Sequence, residues 1–281
     1  MKIFLECLPC MLRQVLEAAY MATDDEAIHE RIMEEAMETL ANYQDFSCAP
    51  ILCEAMHSIV KRHACVEDPY AAIKAQDIAA SLRLEPVLKR FAHRDNHLLL
   101  NALKIAATGN IMDSAIYSDL DIEACVMEEL EIPFAICDKD TFDLDISKAE
   151  QILIIGDNAG EVVFDKILAD YLARDHNVIY AVRDAAIIND ATVEDALKTG
   201  IADYAEVMST GCGMPGAVLE SCSAEFRELF DKADVVISKG QGNFEALSDS
   251  TREIYFLLKA KCDRIAEAVG VELNEYAFKK I

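Results

Sequence analysis

The stretch QILIIGDNAGE, residues 151–161, decides the fold class, because it joins a short apolar run to a polar turn. The run from Gln151 to Gly156 is continuous rather than alternating, which is typical of a strand buried on both faces of a parallel sheet. Similar runs recur at residues 177–182, 204–208, 234–238 and 254–258, with helical patterns between them at 161–173, 192–198 and 222–232. Strands that alternate with helices in this way predict βαβ units, and therefore an α/β fold with a mainly parallel sheet.

The N-terminal part of the chain has a different period. Its apolar residues recur at helical spacing, as in the stripe from Met11 to Ala19. We predict further helices over 71–82, 86–92 and 96–107 and find no strand pattern before residue 117.

This change of period predicts two domains. The first is an all-helical domain at residues 1–116, and the second is an α/β domain at residues 117–281 that binds metal and phosphate. Residues 119–150 form a bridge between the two patterns, and we expect one extra strand within it, from Phe134 to Cys137.

The charge balance excludes several classes of partner. The 281 residues include 26 basic and 51 acidic side chains, which gives a formal net charge of −25. Such a chain gives up the counterion release that drives nucleic-acid binding and is repelled by anionic membranes, so we expect neither partner. No apolar run has the 18 residues that a transmembrane helix needs, and Glu6, Pro9 and Arg13 interrupt any secretory leader.

The use of the ten cysteines indicates the redox conditions of the cellular compartment. A long chain of this kind without a leader is not a small disulfide scaffold, so we expect reduced thiols in a cytoplasm. Cys7 and Cys10 form a C-x-x-C pair, which favours either packing thiols or a second, structural metal site. A zinc site needs two more ligands, for which the chain offers Cys48, Cys53, His63 and Cys65.

Polar residues gather in the loops that follow the predicted strands. In an open parallel sheet, ligands bind at the carboxyl ends of the strands, so these loops are expected to form one site. The loops are Gly156–Glu161, Arg183–Asp184 with Asn189–Asp190, Ser209–Gly216, and Lys239–Glu245.

The residue types in these loops indicate a phosphate site with a metal ion. Asp157, Asn158 and Asp190 are hard oxygen donors that suit Mg²⁺ or Mn²⁺. Lys239 and Arg183 offer positive charge, and the loop glycines offer backbone N–H groups. Metal, cations and N–H donors together can bind a phosphate group, whose oxygens the metal polarises.

Each of these residues also has a purely structural interpretation. Asp157 or Asn158 could cap a helix that begins near Glu161, and Asp190 could cap one that begins at Thr192. Glu161 and Asp165, four residues apart on one helix, could equally belong to a solvated face.

Residues 211–216, GCGMPG, match the G-x-G-x-x-G pattern of dinucleotide sites. Two features weigh against that function. The motif follows the third predicted strand of the α/β half instead of opening it, and Pro215 stiffens the turn where a pyrophosphate would approach.

Several segments together resemble the domain-of-unknown-function-89 family of metal-dependent damage-control phosphatases, related to a protein first described as an acidic residue methyltransferase. The likeness is carried by GDNAGEVVFD at 156–165, RDAAIINDAT at 183–192 and KGQGNFE at 239–245. The CLPC at 7–10, the segment Asp68–Tyr70 with Lys74, and TGNIMD at 108–113 resemble its archaeal and bacterial branch.

The resemblance implies a three-layer α/β/α Rossmann-like domain preceded by the helical part. It also implies that Asp157, Asn158 and Asp190 hold the metal and that Lys239 contacts the phosphate. Asn110 and Asp113 would reach the cleft from the helical part.

Our leading hypothesis is a divalent-metal-dependent phosphatase that hydrolyses phosphate monoesters of small metabolites, such as sugar phosphates or related damaged phosphometabolites. The expected cofactor is Mg²⁺, Mn²⁺, Co²⁺ or Ni²⁺. We place Asp157, Asn158, Asp190 and Lys239 in the catalytic group. The expected substrate-binding residues are Asn110, Asp113, Glu161, Arg183, Lys239, Gly240 and Asn243.

Position 159 is Ala, so the D-x-D spacing of haloacid-dehalogenase phosphatases is missing, and we favour direct attack by water over a phospho-aspartate. Two alternatives stay open: a carboxyl methyltransferase that uses S-adenosylmethionine, and a non-catalytic metabolite-binding module. The oligomeric state, including a homo-oligomer, is also open.

Overall fold

The fold is taken from a computed structural model, which describes residues 1–113 and 122–281. The helices are α1 (Cys7–Ala22), α2 (Glu26–Ala41), α3 (Ala49–Ala64), α4 (Ala71–Ala92), α5 (Leu98–Thr108), α6 (Ile122–Glu131), α7 (Lys139–Ile146), α8 (Val162–Leu172), α9 (Val193–Thr199), α10 (Ala224–Lys232), α11 (Gly240–Leu247) and α12 (Asp263–Val269). The strands are β1 (Phe134–Cys137), β2 (Gln151–Ile155), β3 (Asn177–Val182), β4 (Glu206–Ser209), β5 (Val235–Lys239), β6 (Tyr255–Lys259) and β7 (Tyr276–Lys280).

The strands form one sheet in the order β1-β7-β6-β5-β2-β3-β4. Every neighbouring pair is parallel except β6 with β7, which is antiparallel. The chain runs from β2 outward through β3 and β4, and then returns to the other side of β2 with β5. The predicted α/β class with a mainly parallel sheet is confirmed, and β2 and β5 flank the point where the strand order reverses.

Helices cover both faces of this sheet. Ile152 and Ile154 of β2 face a core that includes apolar residues of α4, α5 and α8. Leu153 and Ile155 face a second core with α10, α11 and α12. Successive side chains of β2 thus point into the two cores in turn. The sheet with helices on both of its faces therefore forms three layers.

The N-terminal helices divide into two groups. Helices α1, α2 and α3 share a core of their own, whereas α4 and α5 pack on the sheet layer with α8. The predicted domain boundary between residues 116 and 117 lies outside the described residues and stays a prediction.

The structure differs from the predicted elements in several places. The helices predicted at 71–82 and 86–92 are one helix, α4, with Pro86 inside it. Burial of Leu84 and Leu88 contributes about 1.5–3 kcal/mol each, which offsets the roughly 3 kcal/mol that an interior proline costs. The last strand, β7, was not predicted, because its lysines interrupt the apolar run of YAFKK.

His57, on α3 in the N-terminal bundle, is buried and neutral. Its Nδ1 lies 3.0 Å from the carbonyl oxygen of Cys53, which can only accept, so Nδ1 carries the proton. Its Nε2 has no hydrogen-bond partner among the described residues. Burial lowers the pKa of His57 from 6.5 to about 4, because a proton on Nε2 would place an unsatisfied charge in the core.

This burial predicts a loss of stability in mild acid. The unfolded chain takes up the proton near pH 6.5 and the folded chain only near pH 4. Between pH 7 and pH 5 the wild type should therefore lose about 2 kcal/mol of unfolding free energy through this residue alone. Urea unfolding across this range checks it. The His57→Gln variant should lack that part of the slope, whereas the exposed His93→Gln should keep it, and equal slopes in all three would contradict the prediction.

Candidate functional site

The site lies where the strand order reverses, the position at which open α/β sheets bind ligands. The loop after β2 begins with Gly156 and Asp157, and β5 ends at Lys239, directly before α11. The segment between β3 and α9 folds over the end of β2 and joins this group.

Short backbone contacts bring the predicted metal ligands together. Asn158 and Asp190 form an isolated antiparallel bridge, and Ala191 N donates to the carbonyl oxygen of Asp157 at 2.8 Å. Asp157, Asn158 and Asp190 are all buried. The Asn158 amide nitrogen donates to Glu161 Oε1 at 2.8 Å, which leaves its side-chain oxygen to accept or to bind a cation.

Arg183 lies between the two aspartates and is itself buried. Its Nε donates to Asp190 Oδ2 at 2.6 Å, and its Nη1 donates to Asn243 Oδ1 at 3.0 Å. Its Nη2 lies 3.6 Å from Asp157 Oδ1 and has no hydrogen-bond partner among the described residues. The Nη2 amino group therefore faces the carboxylate cluster within ion-pair distance of Asp157 but without a hydrogen bond.

Lys239 is held by two carboxylates on α8 and its N-terminal turn. Its Nζ donates to Glu161 Oε2 at 3.0 Å and to Asp165 Oδ1 at 2.6 Å. Burial works against the charge of Lys239, but Asp165 and Glu161 outweigh it and raise its pKa above the ordinary value. The ammonium group has three donors, so one N–H remains for a further partner.

Glu161 joins the helical part of the chain to the site. It accepts from the Asn110 amide at 2.9 Å as well as from Asn158 and Lys239. Asn110 thus lies beside the site, where it was expected. The side chain of Asp113, which was expected beside it, lies outside the described part of the chain.

Asn243 connects four segments with one amide group. Its nitrogen donates to the carbonyl oxygens of Gly156 at 2.9 Å and Lys239 at 2.7 Å, and its oxygen accepts from Arg183 and from Ala217 N. All four hydrogen-bonding positions of the amide are occupied. The predicted phosphate contact of Asn243 stays a prediction, and it would require one of these bonds to break.

The buried charges of the site do not balance. Its buried carboxyl groups are Asp157, Glu161, Asp165 and Asp190, and its buried cations are Arg183 and Lys239, so four acidic groups face two basic ones. Burial, Asp190 and Glu161 raise the pKa of Asp157 well above the ordinary range, although Arg183 opposes them. With all four carboxyl groups ionised, the cluster would carry an excess of two negative charges, which one divalent cation would offset, and the hard oxygen donors suit such an ion.

The ligand set contains only two carboxylates. Among residues 1–113 and 122–281, no three His, Cys, Asp or Glu side chains gather closely enough to hold an ion. A cation bound by Asp157 and Asp190 would therefore also need the Asn158 oxygen or solvent. The role of Cys7 and Cys10, both free thiols, stays a prediction.

The capping interpretation does not hold. No side chain caps α8, and α9 is capped by Thr192, whose hydroxyl accepts from Asp195 N while Asp195 accepts from Thr192 N. The solvated-face interpretation of Glu161 and Asp165 is also wrong, since both are buried and both accept from Lys239.

The glycines at 211–216 have packing roles. Gly211 has a φ of +71°, and a side chain there would meet Ser223 at 2.6 Å. A Cβ on Gly216 would fall on the Gly242 carbonyl of α11. These are the turn and packing positions of the motif, and at the position where a pyrophosphate would approach, a side chain on Gly213 would lie 3.3 Å from Ala185 Cβ.

Two residues of the network were not among the predicted site residues. Tyr180 of β3 donates to Asp165 Oδ2 at 2.7 Å, and a side chain at Gly156 would meet the Tyr180 hydroxyl at 2.6 Å. For Asp165 the sequence offered one indication of a role in the site, because it is a carboxylate within the otherwise apolar start of α8. Tyr180 had none, because its strand reads as a uniformly apolar run.

Fold and site together define a class: a three-layer α/β/α protein with an acidic cluster at the switch point of its sheet. A family model described as the damage-control phosphatase ARMT1-like domain matches residues 3–276. The chain belongs to this family.

Relatives from archaea match over nearly their whole length. A damage-control phosphatase of Pyrococcus horikoshii is 36% identical over 276 residues, covering 96% of this chain and 95% of that one. A damage-control phosphatase of Archaeoglobus fulgidus is 30% identical over 289 residues and all of both chains, and an uncharacterized protein of Methanocaldococcus jannaschii is 34% identical over 290 residues, covering 99% and 95%. The crystal structure of a DUF89 family protein from Pyrococcus horikoshii superposes with a TM-score of 0.92 at 34% identity, covering 100% of this chain and 99% of that one.

Gly240 offers a test of how tightly the site is packed. It has a φ of +75°, and a Cβ there would fall on the carboxylate of Asp157. Gly200 has a similar φ of +79° with its nearest neighbour at 3.8 Å, so it is the matched control. Gly200→Ala should lose about 1–2 kcal/mol of unfolding free energy from backbone strain, and Gly240→Ala a further 1–3 kcal/mol, roughly, from the clash. Urea unfolding measures both, and equal losses would show that Asp157 is free to move aside.

Proposed function

We propose that this protein is a divalent-metal-dependent phosphatase that hydrolyses phosphate monoesters of small metabolites. The observation that carries the proposal is that buried carboxyl groups outnumber buried cations by two in one cluster, formed by Asp157, Glu161, Asp165, Asp190, Arg183 and Lys239. Membership in the damage-control phosphatase family and the names of the Pyrococcus and Archaeoglobus relatives support the same reaction class.

Asp157, Asn158 and Asp190 would hold the cation. When bound, a divalent cation supplies Lewis-acid polarisation of a phosphoryl oxygen and lowers the pKa of water. The Asn158 amide is already oriented for this role, because Glu161 fixes its nitrogen and directs its oxygen away from that bond.

The cations of the chain would stabilise the phosphoryl group. The Nη2 amino group of Arg183 makes no hydrogen bond among the described residues, and Lys239 has one N–H beyond its two carboxylate contacts. Both groups are buried and fixed by ion pairs, so little reorganisation is needed when negative charge develops on the phosphoryl oxygens. The same burial limits the water that can enter.

The first test is phosphate release with Mg²⁺, Mn²⁺, Co²⁺ or Ni²⁺ from a panel of sugar phosphates. Asp157→Asn and Asp190→Asn should each lower kcat/KM by about 100-fold or more, because each replaces a carboxylate oxygen by an NH₂ group and removes a negative charge that the cation needs. The exposed Asp175→Asn should be unchanged. As a second measurement, metal should raise the Tm of the wild type but not of Asp157→Asn. Full activity in either site variant would rule out the proposed metal role.

A second prediction concerns Arg183. Arg183→Lys keeps the positive charge but removes the planar guanidinium group. That group donates to Asp190 and Asn243 and at the same time lies within ion-pair distance of Asp157. We expect kcat/KM to fall by about 10- to 100-fold with the metal-induced rise in Tm retained. Loss of the metal response in this variant would mean that Arg183 acts through the aspartates instead of on the phosphoryl group.

No observation on the described residues favours the S-adenosylmethionine alternative. Calorimetry with that cofactor tests it directly. Tight metabolite binding without turnover under any metal would support the non-catalytic module instead. A cytoplasmic location stays a prediction, and within the described part of the chain no helix combines the length and apolarity needed to cross a membrane.

A further inference from the structure

The segment that carries Asp190 has little regular structure of its own. Residues 183–192 join β3 to α9 through turns and isolated bridges. Ile188, two residues before Asp190, has a φ of +45°, a left-handed conformation that strains a β-branched residue. Such a conformation persists only where its surroundings impose it. Contacts from the rest of the chain are therefore needed to fix the backbone beside this predicted metal ligand.

The N-terminal helices contact this part of the chain at three places. Lys61 Nζ, on α3, donates to the carbonyl oxygen of Ala186. Ile188 packs against the core that α1, α2 and α3 share. Lys74 Nζ, on α4, donates at 2.7 Å to Oδ2 of Asp195, which lies in the first turn of α9. The helical part of the chain thus holds the segment before, at and after its strained residue.

The last of these contacts belongs to a buried ion triad. Lys74 is 3% exposed, and its Nζ lies 2.7 Å from Asp68 Oδ2 and 2.7 Å from Asp195 Oδ2. Burial works against the charge of Lys74, but Asp195 and Asp68 outweigh it and raise its pKa above the ordinary value. Asp68 lies just before α4, so one ammonium group has one partner in the helical part and one in the α/β part.

Asp195 links this triad to the site. Its Oδ2 also accepts from Thr192 Oγ1 at 2.8 Å and from Thr192 N at 3.2 Å. Thr192 forms a bridge with Arg183, whose backbone N donates to the carbonyl oxygen of Ala191 at 2.9 Å. Ala191 N in turn donates to the carbonyl oxygen of Asp157 at 2.8 Å. The triad therefore reaches the backbone of the predicted metal ligands through hydrogen bonds.

We infer that Lys74 is a positioning residue, whose ion pair with Asp195 holds the strained segment in the conformation that brings Asp190 beside Asn158. This inference rests on the proposed function, because it concerns a divalent cation bound by these side chains. It adds to that function a residue of the helical part on which the affinity for the cation depends. Groups that orient metal ligands from outside change metal affinity by roughly 10- to 100-fold when they are removed.

Calorimetric titration with Mn²⁺ tests the inference. Lys74→Met and Asp195→Asn should each raise the Kd for Mn²⁺ by about tenfold, because each breaks the contact with the segment. Asp68→Asn is the matched control, since it breaks the other half of the same triad and leaves Lys74 on Asp195. It should leave the Kd unchanged. At saturating Mn²⁺, the kcat of Lys74→Met for sugar phosphates should return to the wild-type value, because the predicted ligands themselves are intact.

A double variant covers the case in which Lys74→Met does not fold. Removing one partner leaves Asp195 buried without its cation, whereas Lys74→Met with Asp195→Asn removes both charges of the contact and destabilises less. If one contact is responsible, the double variant should raise the Kd for Mn²⁺ by about tenfold, as either single variant does, and not by the product of the two effects.

The outcomes separate the two proposals. If the wild type binds Mn²⁺ and Asp157→Asn does not, but Lys74→Met and the double variant bind it as tightly as the wild type, the positioning role is overturned and the phosphatase function stands. If Asp68→Asn loses as much affinity as Lys74→Met, the triad acts through the stability of the whole fold, which also overturns the role. If the wild type binds no Mn²⁺, the inference fails, and the proposed function fails with it only if no phosphate is released with any of the four metals.

Discussion

The ion pair between Arg183 and Asp190 is the interaction on which the rest of the site depends. It closes the loop between β3 and α9 at 2.6 Å in a place where both groups are buried. Removing either partner would leave an uncompensated charge in the core, which costs roughly 3–5 kcal/mol. Through Asn243 the same guanidinium is tied to Gly156 after β2, to Lys239 at the end of β5 and to the loop that contains Ala217.

That fixed arrangement explains the small residues around it. Gly240 has no side chain because the Asp157 carboxylate occupies the space, and Gly156 has none because the Tyr180 hydroxyl does. Tyr180 in turn bonds Asp165, which holds Lys239. Each of these residues is constrained by the next, so the motif at 156–165 and the motif at 239–245 form one network through space.

Periodicity was enough to predict the central sheet, and the positions of the strand ends were enough to predict which polar side chains lie together at its edge. Continuous apolar runs identified the central strands, and the rule that parallel strands end at one edge brought Asp157, Asp190 and Lys239 together from the sequence alone. Features that depend on contacts distant in sequence were not predicted. The burial of Asp165, the role of Tyr180 and the continuation of α4 through Pro86 come from partners 15 to 100 residues away, roughly, and tertiary packing overrides local preference there.

A chain with a net charge of −25 can bind an anionic substrate only if the electrostatic potential at the site is less negative than that of the chain as a whole. The buried groups alone do not produce that difference, because their carboxylates outnumber their cations by two. On the proposed function, a divalent cation neutralises this deficit, and Arg183 and Lys239 then act on the phosphoryl group in surroundings of low dielectric, where their effect is strong. The cation therefore has to bind before the substrate does, since the cluster without it repels a phosphate.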